Sequence, residues 1–275
     1  MTIGVKLTFA PNISWLFPEL AFGLRPKAVA DLGFGAIEFG FPSHADLDAL
    51  AVARQDLGLE IVLFNQDVPV WDAGNRGYLV DPQRRGEFER TLDQALEIVR
   101  RLGVRKVMLP AGVVLPDLAR RAQHDCMVEN LRRAALQAKD AHVILTIEVL
   151  NDTDNPGNYL TSPEEAFQVV DEVDHPHLRA QIDSYHMAVL GHDPAAVVRQ
   201  GGKRVGHIQF ADHPGRHEPG SGKIDFAALE RAADEIGYQG PIGLEFVPQA
   251  KGAEALAWVA QAQRNHRNLT TEKQR

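Results

Sequence analysis

The chain has 275 residues, a length that suits one large domain or two ordinary ones, and its 44% apolar and 24% charged residues are those of a soluble globular fold. A net charge of −8 argues against broad contact with a phosphate backbone, which needs clustered Lys and Arg, although a local basic pocket stays open. The single cysteine, Cys126, rules out an intramolecular disulfide and a cysteine-cluster metal site and reads as a small packing residue.

The opening stretch, MTIGVKLTFAPNISWLF, carries no basic leader followed by a long apolar core, and no apolar run approaches the ~18 residues of a membrane helix. A cytoplasmic protein without membrane contact is expected. From there, apolar runs of strand length alternate with amphipathic helical segments. The first strand is predicted at Gly4–Ala10, with Lys6 near the barrel floor, and a loop with Asn12, Trp15 and Pro18 leads to a helix at Leu20–Leu32. Strand two is Ala36–Gly40, a helix runs from His44 or Ala45 to Leu57, and strand three is Glu60–Asn65.

The loop Gln66–Gln83 is long enough, and aromatic enough, to point to function. Its Trp71, Asn75 and Arg76 read equally well as a lid over a substrate or as a subunit contact. Next come a helix at Arg84–Leu102, strand four at Lys106–Leu109, a helix at Leu118–Ala138 and strand five at Val143–Leu150. The polar loop NDTDNPGN ends at Ser162-Pro163, an N-cap serine followed by proline at the first helical position. Strand six is Leu178–Asp183, a short helix lies at Pro194–Gln200, and strand seven is Val205–Phe210. A helix at Asp225–Ile236, strand eight at Ile242–Val247 and a last helix at Ala253–Arg264 complete the pattern.

A weak internal repeat supports the alternation. Leu-Gly or Ile-Gly precedes a strand at Gly33, Gly58, Gly103 and Gly237, each placed where a left-handed residue would end a helix. Eight strands and eight helices in strict alternation imply parallel strands with helical crossovers, hence a single-domain (β/α)8 barrel over 1–264 with a polar tail at 265–275. An open doubly wound sheet is the rival, but no strand–GxGxxG–helix signature lies near the first strand.

In such a barrel the chemistry sits where strands end at their C-terminal face. Side chains alternate along a strand, so Thr146 and Glu148 share one face, as do Gln181 and Asp183, His207 and Gln209, and Gly243 and Glu245. The opposite face carries Ile147, Ile182, Ile208 and Leu244, suited to packing under helices. Three carboxylates and an amide converging without a cation would be costly, so Glu148, Asp183, Gln209 and Glu245 are read as a divalent metal site. An all-oxygen donor set suits Mg²⁺ or Mn²⁺ better than Zn²⁺. Glu148 and Glu245 come from strands five and eight, as suits an acid/base pair that moves a proton between adjacent carbons.

At these residues the chain resembles the hydroxypyruvate isomerase family of xylose isomerase-like barrels. The likeness spans nearly the whole chain and is carried by the Asn75-Arg76-Gly77 turn, IEVLNDTDNPGNY (147–159), DSYHM (183–187), GHIQFADHPGRHEPGSG (206–222) and GLEF (243–246). It implies that Glu148 and Glu245 are the catalytic pair and also metal ligands, completed by Asp183 and Gln209. Related sugar epimerases usually have histidine where Gln209 stands; glutamine agrees with the hydroxypyruvate isomerase branch. His186 and Arg216 fall where relatives hold substrate oxygens, and His217 and Glu218 belong to the same motif. The implied reaction interconverts hydroxypyruvate and 2-hydroxy-3-oxopropanoate. Its small-molecule substrate, a 2-oxo or hydroxy acid, is the expected partner, with no nucleic acid and with homo-oligomerisation open.

The nearest alternative is an isomerase of a four-carbon acid such as 2-oxo-tetronate, which would share the catalytic residues. A nuclease similar to the endonuclease IV branch fits Asp183-x-x-His186, but it needs histidines where this chain has Asn65 and Pro110. A non-catalytic binding module would not call for two opposed glutamates. His207 reads as a hydrogen-bonded core histidine, His213 as shaping the turn before Pro214, and His175-Pro176-His177 as a loop.

Overall fold

Eight strands make the frame: β1 (Phe9–Pro11), β2 (Ala36–Phe39), β3 (Glu60–Asn65), β4 (Lys106–Leu109), β5 (Ile144–Glu148), β6 (Leu178–Asp183), β7 (Val205–Phe210) and β8 (Ile242–Leu244). The computed structural model describes residues 7–44, 46–68, 74–260 and 263–264. All strand pairs are parallel, in the order β1-β8-β7-β6-β5-β4-β3-β2. A parallel bridge between Asn12 and Glu38 joins the two edges, with the Ile13 N–H donating to the Glu38 carbonyl at 2.9 Å, and so closes the barrel.

The helices around it are α1 (Arg25–Asp31), α2 (Asp46–Asp56), α3 (Arg85–Leu102), α4 (Arg120–Asp140), α5 (Pro163–Val173), α6 (Ser184–Val189), α7 (Pro194–Gly201) and α8 (Phe226–Glu235). Two departures from strict alternation stand out. The one-turn helix α6 is inserted directly after β6, started by the Asp183 carboxylate accepting from the Tyr185 N–H at 2.7 Å. The expected terminal helix at Ala253–Arg264 is instead a 3-10 segment at Gly252–Leu256. The expected first helix likewise divides into a 3-10 turn at Phe22–Leu24 and α1, with Pro26 at the start of α1, where a missing N–H costs nothing.

The helix-stop repeat is real in backbone terms: Gly33, Gly58, Gly103 and Gly237 have φ of 87°, 67°, 60° and 71°. Ser162 caps α5 by accepting from the Glu165 N–H at 3.2 Å. Ile147, Ile182, Ile208 and Leu244 are all fully buried in the main core, on the faces covered by helices. Each contributes roughly 1.5–3 kcal/mol of hydrophobic burial. Cys126 is buried in α4 as a packing residue. The Gly4–Lys6 start of the first expected strand and the 265–275 tail lie outside the described residues.

Inside the barrel the alternation produces a polar belt. The Thr146 hydroxyl donates to Gln181 Oε1 at 3.0 Å, Gln181 Nε2 to Gln209 Oε1 at 2.8 Å, and Gln209 Nε2 to Glu38 Oε1 at 2.7 Å. Asn12 Nδ2 also donates to Glu38 Oε1, at 3.2 Å. Below the belt, His207 Nε2 lies 2.8 Å from Glu38 Oε2, and its Nδ1 lies 3.1 Å from Lys106 Nζ, which also reaches the Tyr238 hydroxyl at 3.2 Å. Lys106 is an ammonium donor, so Nδ1 accepts and Nε2 carries the proton toward Glu38. His207 is therefore a hydrogen-bonded core histidine, held well below its usual pKa by burial and by Lys106. Burial likewise pushes Glu38 up to about 7 and Lys106 down to about 8. No described helix is long and apolar enough to cross a membrane.

Candidate active site

A cavity of about 520 Å³ opens at the C-terminal ends of the strands. Its walls hold Glu148 at the end of β5, His186 in the first turn of α6, Glu245 just past β8, and Arg216 from the loop after β7. Asp183, the last residue of β6, is fully buried beside them. Glu148, Asp183 and His186 bring ligand-capable atoms within 4.8 Å of one another. Asp183 is linked to Glu245 through Arg216, whose Nη2 lies 3.2 Å from Asp183 Oδ2 and 3.3 Å from Glu245 Oε2.

The electrostatics of this group are unbalanced. Burial pushes the Glu148 carboxyl well above its usual range, and the charges of Glu245 and Asp183 add to that. Burial raises Asp183 to about 7 against the pull of Arg216, and it raises Glu245 to about 7 in the same way. Three ionised carboxylates facing one guanidinium leave two uncompensated negative charges, which a divalent cation would cancel. Two atoms of opposite polarity are buried there without a hydrogen-bond partner among the described residues, Glu148 Oε1 and Arg216 Nε. Buried polar groups are rarely left unmatched, so a site that leaves both an acceptor and a donor open is built for something that brings its own charge and oxygens. The residues present thus fit a divalent cation.

Arg216 is delivered by an unusual loop. The fully buried Asp212 carboxylate accepts four backbone N–H groups, from His213 and Ile224 on Oδ1 and from Gly220 and Gly222 on Oδ2, at 2.8–3.1 Å. Arg216 itself has φ of 57°, a left-handed conformation that costs a side-chain-bearing residue of order 1 kcal/mol or more and is retained where surroundings enforce it. The enforcing contacts are the Val247 N–H on the Arg216 carbonyl at 2.7 Å and the Asp212 N–H on the His217 carbonyl at 2.9 Å. The guanidinium lies over the Trp15 ring at 4.6 Å and near the Tyr185 ring at 5.3 Å, so its plane is fixed from two sides.

The other expected site residues are placed differently. Gln209 is buried at the rim of the polar belt, its amide held by Gln181 and Glu38. The His217 ring hydrogen-bonds the Val247 carbonyl at 2.8 Å and packs over Gly215, away from the cavity lining, so it shapes the loop. Asn75 and Arg76 also stand outside that lining. Asn75 Oδ1 accepts from Arg84 at 3.2 Å and Asn75 Nδ2 reaches the Tyr78 hydroxyl at 3.4 Å, while Arg76 is mostly buried and donates to the Asn75 carbonyl. Trp71 lies outside the described residues. Sequence reading passed over Trp15, Tyr185, Asp154 and Asn155 as wall residues, and over Glu38 as the anchor of Gln209. Glu38 was legible as an acid set in the apolar strand Ala-Ile-Glu-Phe; Trp15, Asp154 and Asn155 come from loops and Tyr185 from the one-turn α6, none of which has a period to read.

An eight-stranded parallel barrel with two buried glutamates and an arginine around the cavity at its C-terminal mouth has the architecture of an α/β-barrel enzyme. The model of the xylose isomerase-like TIM barrel family matches residues 26–263. Hydroxypyruvate isomerase of Escherichia coli K12 is 34% identical over 92% of this chain and 98% of its own length. The 2-oxo-tetronate isomerase of Pectobacterium atrosepticum is 33% identical over 91% and 95%. A solved structure described as an AP endonuclease, family 2, from Brucella melitensis superimposes with a TM-score of 0.87 at 32% identity, covering 92% of this chain and 97% of that one. The chain belongs to the xylose isomerase-like TIM barrel family and, within it, is an isomerase of the hydroxypyruvate isomerase type.

Proposed function

We propose that the chain interconverts hydroxypyruvate and 2-hydroxy-3-oxopropanoate by proton transfer between Glu148 and Glu245. The observation that carries this reading is the pair of buried glutamates, both raised in pKa, set around Arg216 and Asp183 in one cavity. Burial lifts both carboxyls out of the ordinary range, Glu245 to about 7, and a carboxyl raised in this way can serve as base and as acid at working pH, which a reversible shuttle needs. One glutamate takes the proton from C3 of hydroxypyruvate, an enediolate forms, the hydroxyl proton relocates from the C3 oxygen to the C2 oxygen, and the other glutamate returns a proton to C2. Arg216 offers its fork of N–H donors, including the unpartnered Nε, to the substrate carboxylate. His186 holds a substrate oxygen.

Glu148, Asp183 and Glu245 are the residues that would hold a divalent cation, Mg²⁺ or Mn²⁺, joined by Gln209 once its amide oxygen, which here accepts from Gln181, turns toward the site. When bound, such an ion polarises substrate oxygens and stabilises negative charge on them. Glu245→Gln and Glu148→Gln are expected to lower kcat by about 10²–10⁴-fold, the usual contribution of a positioned proton-transfer group, with folded protein retained. Near-normal turnover in either variant would refute the assignment, and so would indifference to chelation followed by Mg²⁺ or Mn²⁺ addition.

A second reading, isomerisation of a four-carbon 2-oxo-tetronate, is favoured by the near-equal identity to both kinds of relative and by a cavity roomier than a three-carbon acid requires. Side-by-side turnover on both acids decides between them. A nuclease is disfavoured by the acidic net charge, and by Asn65 and Met108 on the β3 and β4 side of the cavity, where an imidazole cluster would be needed.

A further inference from the structure

The polar loop after β5 lends Asp154 and Asn155 to the cavity wall, and its first residue, Asn151, touches the site from behind His186. Asn151 is fully buried, and its amide orientation is determined by the backbone. Its Oδ1 accepts from the Asp154 N–H at 2.8 Å, and its Nδ2 donates to Asp154 Oδ2 at 3.0 Å. The amide nitrogen therefore faces His186 Nδ1, 2.7 Å away. The backbone N–H of Asn151 points at the same Nδ1 from 3.2 Å. Two N–H donors aimed at one ring nitrogen leave no place for a proton on it. The ring is neutral, and its proton resides on Nε2. Nε2 is the atom on the Asp183 side, 3.9 Å from Asp183 Oδ2.

From this geometry we infer that Asn151 is a positioning residue, which fixes His186 as its Nε2–H tautomer and so makes the ring a hydrogen-bond donor to a substrate oxygen. The same tautomer withdraws His186 from the compact trio it forms with Glu148 and Asp183, because a protonated Nε2 has no lone pair for a metal. Tyr185 completes the arrangement: its hydroxyl donates to Asp154 Oδ2 at 2.8 Å, tying the loop to α6. An acid/base site with three carboxylates is rich in acceptors, and a neutral imidazole N–H supplies a donor for the oxygen on which charge develops. The functional part of this inference rests on the isomerase reading; the tautomer does not.

The test begins with ¹⁵N-detected imidazole spectra of the folded, uniformly labelled full chain, with His186→Gln identifying the His186 signals. A pyridine-like Nδ1 and a protonated Nε2 are expected, both before and after Mg²⁺ addition. A protonated Nδ1, or loss of the Nε2 proton on adding Mg²⁺, overturns the proposal whatever substrate is turned over. Asn151→Asp presents a carboxylate to Nδ1 and is expected to draw a proton onto it, lowering kcat on the order of 10²-fold. Asn151→Ala keeps the backbone N–H and is expected to keep the tautomer with a smaller loss. A role limited to loop shape predicts the reverse order, since Asp forms the same turn with the Asp154 N–H. If Asn151→Asp loses turnover while His186 Nδ1 stays unprotonated, the loss comes from the loop and the proposal fails.

Discussion

Asp212 is the residue whose replacement tests the loop argument most directly. Its carboxylate is the shared acceptor for the N–H groups of His213, Gly220, Gly222 and Ile224. In Asp212→Asn one oxygen survives and an NH₂ group confronts the two N–H donors on the other side, so two charge-assisted hydrogen bonds vanish. At about 1.5–3 kcal/mol each, the ceiling is roughly 3–6 kcal/mol. Gly220 and Gly222 are exposed, so water recovers part of this once the loop opens, and a net cost of about 2–4 kcal/mol is expected. That cost falls on the loop and not on the barrel. Hydrogen exchange in peptides covering 212–224 should accelerate by on the order of 10²-fold while the strands stay protected, because 1.4 kcal/mol is a factor of ten. Catalytic efficiency should fall by a similar factor, since Arg216 loses the frame that holds its left-handed backbone. Unchanged exchange in this segment, with kcat/KM within threefold of the unsubstituted enzyme, would refute the reasoning.

Two further perturbations follow from the geometry. A Cβ at Gly243 would stand 2.6 Å from the Glu38 carboxyl carbon, which Gln209, His207 and Asn12 hold from three sides. Gly243→Ala should therefore cost about 1–3 kcal/mol of stability by overpacking and should disturb Gln209; a melting temperature equal to the parent's would contradict this. Burial pushes the Asp183 and Glu245 carboxyls up to about 7 in the folded chain, from ordinary values of 3.8 and 4.5. A raised carboxylate pKa gives stability that is present below the unfolded value and lost as pH rises through the folded one. The metal-free protein should thus melt at progressively lower temperature from about pH 4 to pH 7, and Mg²⁺ or Mn²⁺ should flatten that slope. A metal-free melting temperature that rises over the same interval would count against the buried-carboxylate account.

The sequence by itself determined the order of strands, the parallel topology and the placing of Glu148, Asp183, Gln209 and Glu245 toward the barrel's C-terminal mouth. Each of these follows from periodicity: two residues per alternation in a strand, and a glycine at four of the reversals from helix to strand. His186 and Arg216 were legible as motif residues, but their atoms were not. Only the tertiary structure decided that Arg216 bridges Asp183 and Glu245, that Asn151 meets His186, and that His217, Asn75 and Arg76 turn to loop contacts. The contacts of Arg216, Asn151 and His217 join residues 29 or more positions apart, and those of Asn75 and Arg76, though local in sequence, depend on which way a loop side chain faces. Loop conformation is set by particular hydrogen bonds, such as the four on Asp212, and not by any repeating pattern of apolar residues. The inserted helix α6 makes the same point, since a single Asp183 carboxylate both ends β6 and starts the turn that carries His186 into the site.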